Sequence, residues 1–371
     1  MIGLATIAAV FLIFSLVSQR LQKTVLTAPI FFVAAGLLLG SRLIRAVDFA
    51  QVAPFFLVVG IVALSLSFFN QASRVNQPPW SVRRLYLRQR VPVRIRQALN
   101  VESSLNDGIT TPFAALFMAL AQTRLGSAAV TFHWLSPLTG VALALGVGLA
   151  VGGVGGWPLR EADRRGWISP GFQRLVFPSL TMIALPVAYV ADGNYFIACF
   201  VAGMTTAWVL RDYGERISRF SETAEHMFSL VVLLILGTEF VERLPALDWR
   251  IVLYAFLSLM LVRMVPVVIA LLGKRLHWES VLFLGWFGPR GLASTVLGTL
   301  VLVTVPGIPH TETIAQMVMT TVVFSVVLHG ASAIPLATRY GRRASQFEAE
   351  APENRPVVEM PIRLEWSHHA E

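Results

Sequence analysis

Long apolar runs recur from one end of this sequence to the other, and they constrain its fold more than any other feature. Most are about 17–25 residues long, which is enough for a helix to cross a bilayer core of roughly 30 Å. Only 14% of the 371 residues are charged and the mean hydropathy is +0.66, whereas soluble domains carry about 25% charged residues. We therefore predict an all-α, polytopic membrane protein.

Eleven of these runs are candidate transmembrane helices. They cover residues 2–17, 24–40, 52–69, 98–121, 135–157, 175–190, 195–210, 227–240, 252–272, 281–305 and 315–337. Arginine and lysine are concentrated in alternate loops, with seven arginines between residues 74 and 96 alone. By the positive-inside rule, this asymmetry predicts an N-terminus outside and a C-terminus in the cytoplasm, which requires an odd number of crossings.

The composition changes near the end of the chain. Residues 1–340 are predicted to form the transmembrane domain, and the polar segment 341–371 to be a flexible cytoplasmic tail. The predicted location is a plasma membrane, which in a bacterium is the inner membrane. The net charge of +9 does not indicate nucleic-acid binding, because the basic residues lie in short loops where they orient helices. The lipid bilayer is the predicted partner, and no cofactor is predicted.

Ionisable side chains deep inside the predicted spans are candidates for function, since each costs at least about 2.5–3.5 kcal/mol to insert. Asp107 lies nine residues after Ala98, which is roughly 14 Å into its helix and near the midplane. Ser103 precedes it by four residues on the same helix face, and Asn106 is related to Glu102 in the same way. A carboxylate at this depth can hold a proton or a small hard cation, with Ser103 as an oxygen ligand. Alternating access to such a site gives exchange.

Two arginines are predicted at a similar depth. Arg290 lies in the sequence Gly-Pro-Arg-Gly at 288–291, which cannot continue a regular helix and predicts a discontinuous span. In lipid each guanidinium requires a carboxylate or carbonyl groups, and Glu102 is the candidate partner of Arg290 in a structural ion pair. Arg263 is followed by Pro266 in its span and is predicted to support the core structurally.

Other polar residues are predicted to lie near the ends of spans. His226, His329 and Glu239 fall in such positions, where snorkelling or helix capping explains them. Asp192 is predicted to cap the short Asp-Gly-Asn turn at 192–194.

Two long motifs resemble those of a known family. Residues 93–108, VRIRQALNVESSLNDG, resemble the Glu-Ser-x-x-Asn-Asp-Gly signature of sodium/proton exchangers of the NhaP type. Residues 283–294, FLGWFGPRGLAS, resemble the second signature of that family, and weaker similarities occur at 196–203, 262–267 and 325–330. The resemblance implies an inverted-repeat antiporter fold of about 13 transmembrane helices with discontinuous core helices, and it implies a homodimer.

The resemblance also implies roles for the residues that match the motifs. Asp107 would be the carboxylate that binds cation and proton in turn, and Ser103 would be a further ligand of the transported monovalent cation. Glu102 and Arg290 would form an ion pair that joins two core helices. Asn106 occupies the motif position at which, in this family, asparagine is associated with electroneutral exchange of one cation for one proton.

The sequence departs from the family pattern after the third span. Two further spans are expected there, and the second of them supplies cation ligands from a Thr-Asp pair. The segment between about 70 and 91 is too short for them and contains no Thr-Asp pair, so we infer an internal deletion. Losing two spans from about thirteen leaves the eleven predicted here and preserves the topology. The acidic residue often found near Gln71 is also replaced by an amide.

These observations leave alternative functions open. The leading hypothesis is a secondary transporter that exchanges Na⁺, or alternatively K⁺ or Li⁺, for H⁺. The missing Thr-Asp span motivates a second hypothesis, a transport-incompetent truncated homologue or a subunit that acts through membrane assembly. An intramembrane enzyme has little support, because no predicted span presents a Ser/His pair or a His-Glu-x-x-His motif. We therefore predict that the chain is not an enzyme.

Overall fold

The fold is taken from a computed structural model of the chain. It describes residues 2–21, 24, 26–40, 49–75, 91–99, 102, 113, 117, 136–210, 214–288, 292–304, 310–348 and 350–355. Within those ranges every regular element is helical. The fold class is therefore all-α, as the sequence predicts.

The helices are numbered in chain order. They are α1 (Ile2–Leu21), α2 (Ala28–Leu39), α3 (Phe49–Val75), α4 (Ser136–Arg164), α5 (Pro170–Gln173), α6 (Val176–Val190), α7 (Tyr195–Leu210), α8 (Gly214–Arg243), α9 (Trp249–Leu271), α10 (Trp278–Trp286), α11 (Leu292–Thr304) and α12 (Thr311–Ala344). Residues 93–99 are also helical. Short 3₁₀ turns cover Leu244–Ala246 and Pro352–Asn354.

Most of the predicted spans correspond to apolar helices. Six helical segments among the described residues are long and apolar enough to cross a membrane, namely Gly3–Leu21, Phe55–Ser73, Leu138–Arg164, Gly171–Val190, Trp249–Leu271 and Thr311–Ala344. Two shorter apolar helices, α2 and α7, coincide with the predictions at 24–40 and 195–210. The prediction at 227–240 lies within α8, whereas most of the prediction at 98–121 lies outside the described residues. The count of eleven crossings stays a prediction.

The chain divides into two compact units. Unit 1 comprises Met1–Gly60, Arg88–Leu99 and Phe228–Val357. Unit 2 comprises Ile61–Leu87, Asn100–Met227 and Val358–Glu371.

The core of unit 1 brings together α2, the second part of α8 and α12. Val33, Leu236 and Met319 are buried there, one from each helix. Gly36 and Gly237 allow the first two helices to touch, because a Cβ on either glycine would overlap backbone atoms of the opposite helix. Small residues are a common means of close packing between transmembrane helices, where backbones must approach without intervening side chains.

The core of unit 2 is built from the second part of α3 with α4, α6 and α7. The Phe69 and Phe177 rings are both buried, with centroids 5.2 Å apart. Gly148 and Gly152 lie one helical turn apart on α4, where a Cβ would overlap α7 residues such as Val201. The same small-residue rule therefore explains the packing of α4 on α7.

The chain after α12 returns to the beginning of α10 within unit 1. The Phe347 ring stacks on the His277 ring, with centroids 3.8 Å apart and planes 4° from parallel. Glu353 is 1% exposed, and its Oε1 accepts hydrogen bonds from the His277 amide at 2.7 Å and the Ser280 hydroxyl at 2.8 Å. The Arg94 guanidinium donates to the Pro352 carbonyl at 2.6 Å. These contacts hold residues 345–348 and 350–355 against the beginning of α10, and the flexibility of the tail stays a prediction.

Candidate functional site

The motif residues are only partly within the described chain. Asp107, Ser103, Asn106 and Arg290 lie outside the described residues. Glu102 is described, in helical conformation and half-buried. The predicted Glu102–Arg290 ion pair and the predicted cation ligands therefore stay predictions. The structure does describe most of the span predicted at 281–305, here called the divided span, in which Arg290 lies.

The span predicted at 281–305 consists of two helices, which confirms the predicted discontinuity. Helix α10 ends at Trp286 and α11 begins at Leu292. Phe287, the residue after α10, has φ −80° and ψ 78°, which is outside the helical region. A helix that stops leaves its last carbonyl groups without intrahelical donors, and inside a membrane these groups must find other partners.

Arg263 supplies one set of partners from α9. Its Nη2 donates to the carbonyl oxygens of Leu284 and Phe287, each at 3.4 Å. The guanidinium also lies against Gly288, where a Cβ would overlap it. A cation at the C-terminus of a helix is favoured by the helix dipole as well as by these contacts. The structure thus places Arg263 at the end of α10, and its predicted supporting role stays a prediction that this geometry favours.

His329 supplies a second partner from α12. Its Nε2 lies 2.8 Å from the Trp286 carbonyl oxygen, and its Nδ1 lies 2.9 Å from the Ser325 carbonyl oxygen. The side chain is only 5% exposed. The prediction that His329 lies near a span end was wrong, because α12 runs from Thr311 to Ala344 and places this residue well inside the helix.

A second contact from α12 fixes the ring of Trp286. The indole Nε1 donates to the Ser332 hydroxyl at 2.8 Å. Ser332 follows His329 by three residues and so lies on the same face of α12. The carbonyl and the indole N–H of Trp286 therefore both contact the same face of α12.

The other polar residues near span ends have mixed outcomes. His226 is exposed, whereas Glu239 is buried and bonded to Arg243 one turn later on α8. Arg243 also binds Glu312 at the beginning of α12. The predicted cap of the 192–194 turn was wrong in residue, since Asn194 rather than Asp192 accepts from the first amides of α7, at 3.1 Å.

Unit 2 contains a buried polar pair that sequence reasoning missed. Asn70 on α3 donates through Nδ2 to Glu225 Oε2 on α8 at 3.0 Å, and the two side chains are 0% and 4% exposed. Glu225 was overlooked because the predicted span began at 227, whereas α8 begins at Gly214. The basic run before that span could have signalled an earlier helix start. The neighbouring Gln71 donates to Ser67 at 2.8 Å within α3.

This arrangement supports a stable break in a transmembrane helix. Arg263 brings a permanent positive charge to the end of α10, and His329 brings a group that can bind or release a proton. Discontinuous helices whose free ends face an ion are the usual way in which transporters build a binding site near the membrane midplane. Among the described residues, no group of three or more His, Cys, Asp and Glu side chains could hold a metal ion.

Comparison with known proteins gives consistent matches. The profile of the family described as sodium/hydrogen exchanger, transmembrane, matches residues 78–339. A Na⁺/H⁺ antiporter of Schizosaccharomyces pombe is 26% identical over 230 residues, covering 58% of this chain and 48% of that protein. The Na⁺/H⁺ antiporter ApNhaP of Aphanothece halophytica is 24% identical over 343 residues, covering 84% of this chain and 63% of that protein. The chain thus spans about half to three-fifths of the length of these relatives.

A solved structure supports the fold. The sodium proton antiporter MjNhaP1 from Methanocaldococcus jannaschii superposes with a TM-score of 0.64, covering 91% of this chain and 99% of that one. The sequence identity is 15%, so the likeness concerns the fold alone.

Proposed function

This chain belongs to the sodium/hydrogen exchanger family, and we propose that it exchanges a monovalent cation for H⁺ across the membrane. Na⁺ is the first candidate, because the relatives from S. pombe and A. halophytica are named Na⁺/H⁺ antiporters. The observation that carries the proposal is the divided span. The carbonyl groups at the end of its first helix, α10, are hydrogen-bonded by Arg263 of α9 and His329 of α12. Such a break costs backbone hydrogen bonds, and transporters use it to expose backbone groups to an ion.

Asp107 is the proposed exchange site. In this proposal its carboxylate holds the cation when access is from one side and the proton when access is from the other. Ser103 and freed backbone carbonyls contribute oxygen ligands, which suit a small hard cation. Glu102 and Arg290 form a structural ion pair, and Asn106 accompanies electroneutral exchange of one cation for one proton.

Proteoliposomes provide the test. The purified chain is reconstituted with a pH-sensitive dye inside, and Na⁺, K⁺ or Li⁺ is added to collapse an imposed proton gradient. We expect cation-dependent flux that disappears in Asp107→Asn. Asp248→Asn is the matched control. Asp248 is the N-cap residue of α9, where its side chain accepts a hydrogen bond from the Arg250 amide, and asparagine is an equally good N-cap residue. Flux that survives in Asp107→Asn would refute the assigned site.

A second function follows from the shortened segment between the third and fourth predicted spans. A transport-incompetent homologue, or a subunit that acts through membrane assembly, would keep the family fold without the Thr-Asp ligands. Complete absence of flux from folded, inserted protein would support it, and robust flux would exclude it. We further propose a homodimer in the plasma membrane with its N-terminus outside, which cross-linking and terminal accessibility tags would test.

A further inference from the structure

The two ring nitrogens of His329 face backbone carbonyl groups on both sides. Nε2 lies 2.8 Å from the Trp286 oxygen and Nδ1 lies 2.9 Å from the Ser325 oxygen. Carbonyl oxygens only accept hydrogen bonds, and a neutral imidazole has a single N–H. Only an imidazolium, which has a proton on each nitrogen, can donate to both carbonyl groups at once.

A neutral arrangement is available at the same position. The Ser325 hydroxyl lies 3.2 Å from Nδ1, and a hydroxyl can donate as well as accept. In the neutral ring, Nε2–H donates to the Trp286 carbonyl while Nδ1 accepts from the Ser325 hydroxyl. The contact with Trp286 therefore exists in either protonation state, and the proton on Nδ1 decides which oxygen of Ser325 is engaged.

We propose that His329 is a proton-responsive positioning residue. It holds the end of α10 through the Trp286 carbonyl, and it exchanges the Ser325 hydroxyl for the Ser325 carbonyl as its second partner when Nδ1 gains a proton. This inference rests on the proposed exchange function for its effect on transport. Its structural part, the hold on α10, stands independently of that function.

Several features link this residue to the divided span. Trp286 is the last residue of α10, and its carbonyl also accepts from the Gly288 amide at 2.9 Å. Moving that carbonyl therefore shifts the backbone that leads to Arg290. The Trp286 and His329 rings lie with centroids 5.0 Å apart, so a change at the imidazole acts on both the backbone and the side chain of Trp286.

The electrostatic surroundings of His329 are simple within the described residues. Arg263 on α9 is the charged group that acts on the ring there. Helix α2 packs on α12 near Gly330 and contains no ionisable side chain over Ala28–Leu39. The acidic group of α10 is Glu279, seven residues before Trp286 and therefore roughly 10 Å away along the helix. A second positive charge on His329 thus acts directly on the Arg263 guanidinium.

Three variants separate the parts of the proposal. His329→Gln keeps a donor within reach of the Trp286 carbonyl but cannot take up a proton. His329→Leu removes both the donor and the titration. Ser332→Ala is the matched control, because it removes the partner of the Trp286 indole and keeps the His329 imidazole. It also removes the hydrogen bond that the Ser332 hydroxyl donates to the His329 backbone carbonyl at 3.4 Å, which involves no atom of the ring.

Two measurements are made on each variant of the full chain in lipid. The first is proton flux driven by Na⁺ between pH 5.5 and 8.5 in proteoliposomes. The second is hydrogen–deuterium exchange of the 283–288 segment in nanodiscs over the same pH range, corrected for intrinsic exchange rates. The exchange measurement needs no transport activity, so failure of this proposal is distinguishable from failure of the proposed function.

The expected results differ between variants. His329→Leu raises exchange of the Phe287 and Gly288 amides by about tenfold, as expected for one lost hydrogen bond, and lowers flux about tenfold or more. His329→Gln keeps protection and flux within about twofold at the alkaline end, but loses the pH-dependent part of both curves. Ser332→Ala lowers protection without changing the shape of either pH profile. Wild-type exchange in His329→Leu would overturn the positioning role, and an unchanged pH profile in His329→Gln would overturn the proton response.

Discussion

The buried Glu353 carboxylate gives the sharpest prediction about the stability of the described structure. Its Oε1 accepts from the His277 amide and the Ser280 hydroxyl at the beginning of α10. The Tyr340 hydroxyl lies 2.8 Å from the Ser280 hydroxyl, and since Ser280 donates to Glu353, Tyr340 donates to Ser280. One carboxylate thus orders three polar groups, and the N-terminal dipole of α10 favours its negative charge.

Replacing Glu353 with alanine leaves these donors inside the protein without an acceptor. Each unsatisfied buried donor costs about 1–3 kcal/mol, and the two direct donors together give about 2–4 kcal/mol after allowing for entry of water. This corresponds to a rise of roughly 30-fold to several hundredfold in the equilibrium constant for local opening of the 345–355 segment. Glu353→Gln keeps a neutral acceptor, so we expect about half the free-energy cost.

Hydrogen–deuterium exchange of residues 277–284 and 345–355 measures this opening. Glu350→Gln is the matched control, since it removes the same charge from an exposed side chain in the same segment. Exchange in Glu353→Ala that equals exchange in Glu350→Gln would refute the reasoning, because it would mean that the carboxylate does not hold the segment.

The pH dependence of this contact has a definite sign. Burial by itself raises the pKa of the Glu353 carboxyl, but hydrogen bonds from the His277 amide and the Ser280 hydroxyl outweigh it, and the pKa is lowered overall. A carboxyl with a lowered pKa in the folded state contributes stability that is fully present above its ordinary pKa of about 4.3 and lost as the pH falls through the lowered value. Protection of residues 345–355 should therefore stay constant between pH 8 and about pH 5 and fall only below about pH 4.

Two further predictions concern single residues in the two units. Gly288→Ala should disrupt the Arg263 contact and raise exchange of residues 284–288, because its Cβ would overlap the guanidinium, whereas Gly285→Ala places its Cβ at an ordinary 3.6 Å from Met264 and should be close to neutral. Asn70→Asp should lower the free energy of unfolding of detergent-solubilised protein by about 2–3 kcal/mol, measured by thermal denaturation, because it replaces a donor to the buried Glu225 with a like charge. Gln71→Glu, on the same helix but bonded to Ser67, should cost less, and equal losses in the two variants would contradict the role assigned to the Asn70–Glu225 pair.

The sequence predicts backbone features better than the partners of side chains. A break in the span predicted at 281–305 was predictable because glycine and proline act locally on the chain, and the end of α10 at Trp286 followed by the non-helical Phe287 confirms it. The position of Arg263 inside a long apolar helix was predictable from the sequence, and α9 contains it. Its partners, the carbonyls of Leu284 and Phe287, were not, because they depend on how α9 packs against α10.

Helix ends account for the main errors in side-chain placement. An apolar run marks the lipid-facing length of a helix, but polar turns extend a helix beyond it without changing the hydropathy signal. Helix α12 continues to Ala344 instead of 337, and α8 begins at Gly214 instead of 227. The longer α12 places His329 farther from a helix end than the sequence indicated, and the earlier start of α8 brings Glu225 into a helix.

The contacts at the end of α10 also bear on the spans that this sequence lacks. By the family resemblance, the missing Thr-Asp span would cross the break, and an unsupported break would leave carbonyl groups unsatisfied in the membrane at a cost of several kcal/mol each. Arg263 and His329 donate to these carbonyls from α9 and α12, which both lie outside the shortened segment. By the resemblance, the inferred deletion would remove cation ligands, whereas Arg263 and His329 still contact the end of α10. If the chain carries no flux but keeps protection at residues 283–288, loss of ligands and not loss of the divided span explains the inactivity.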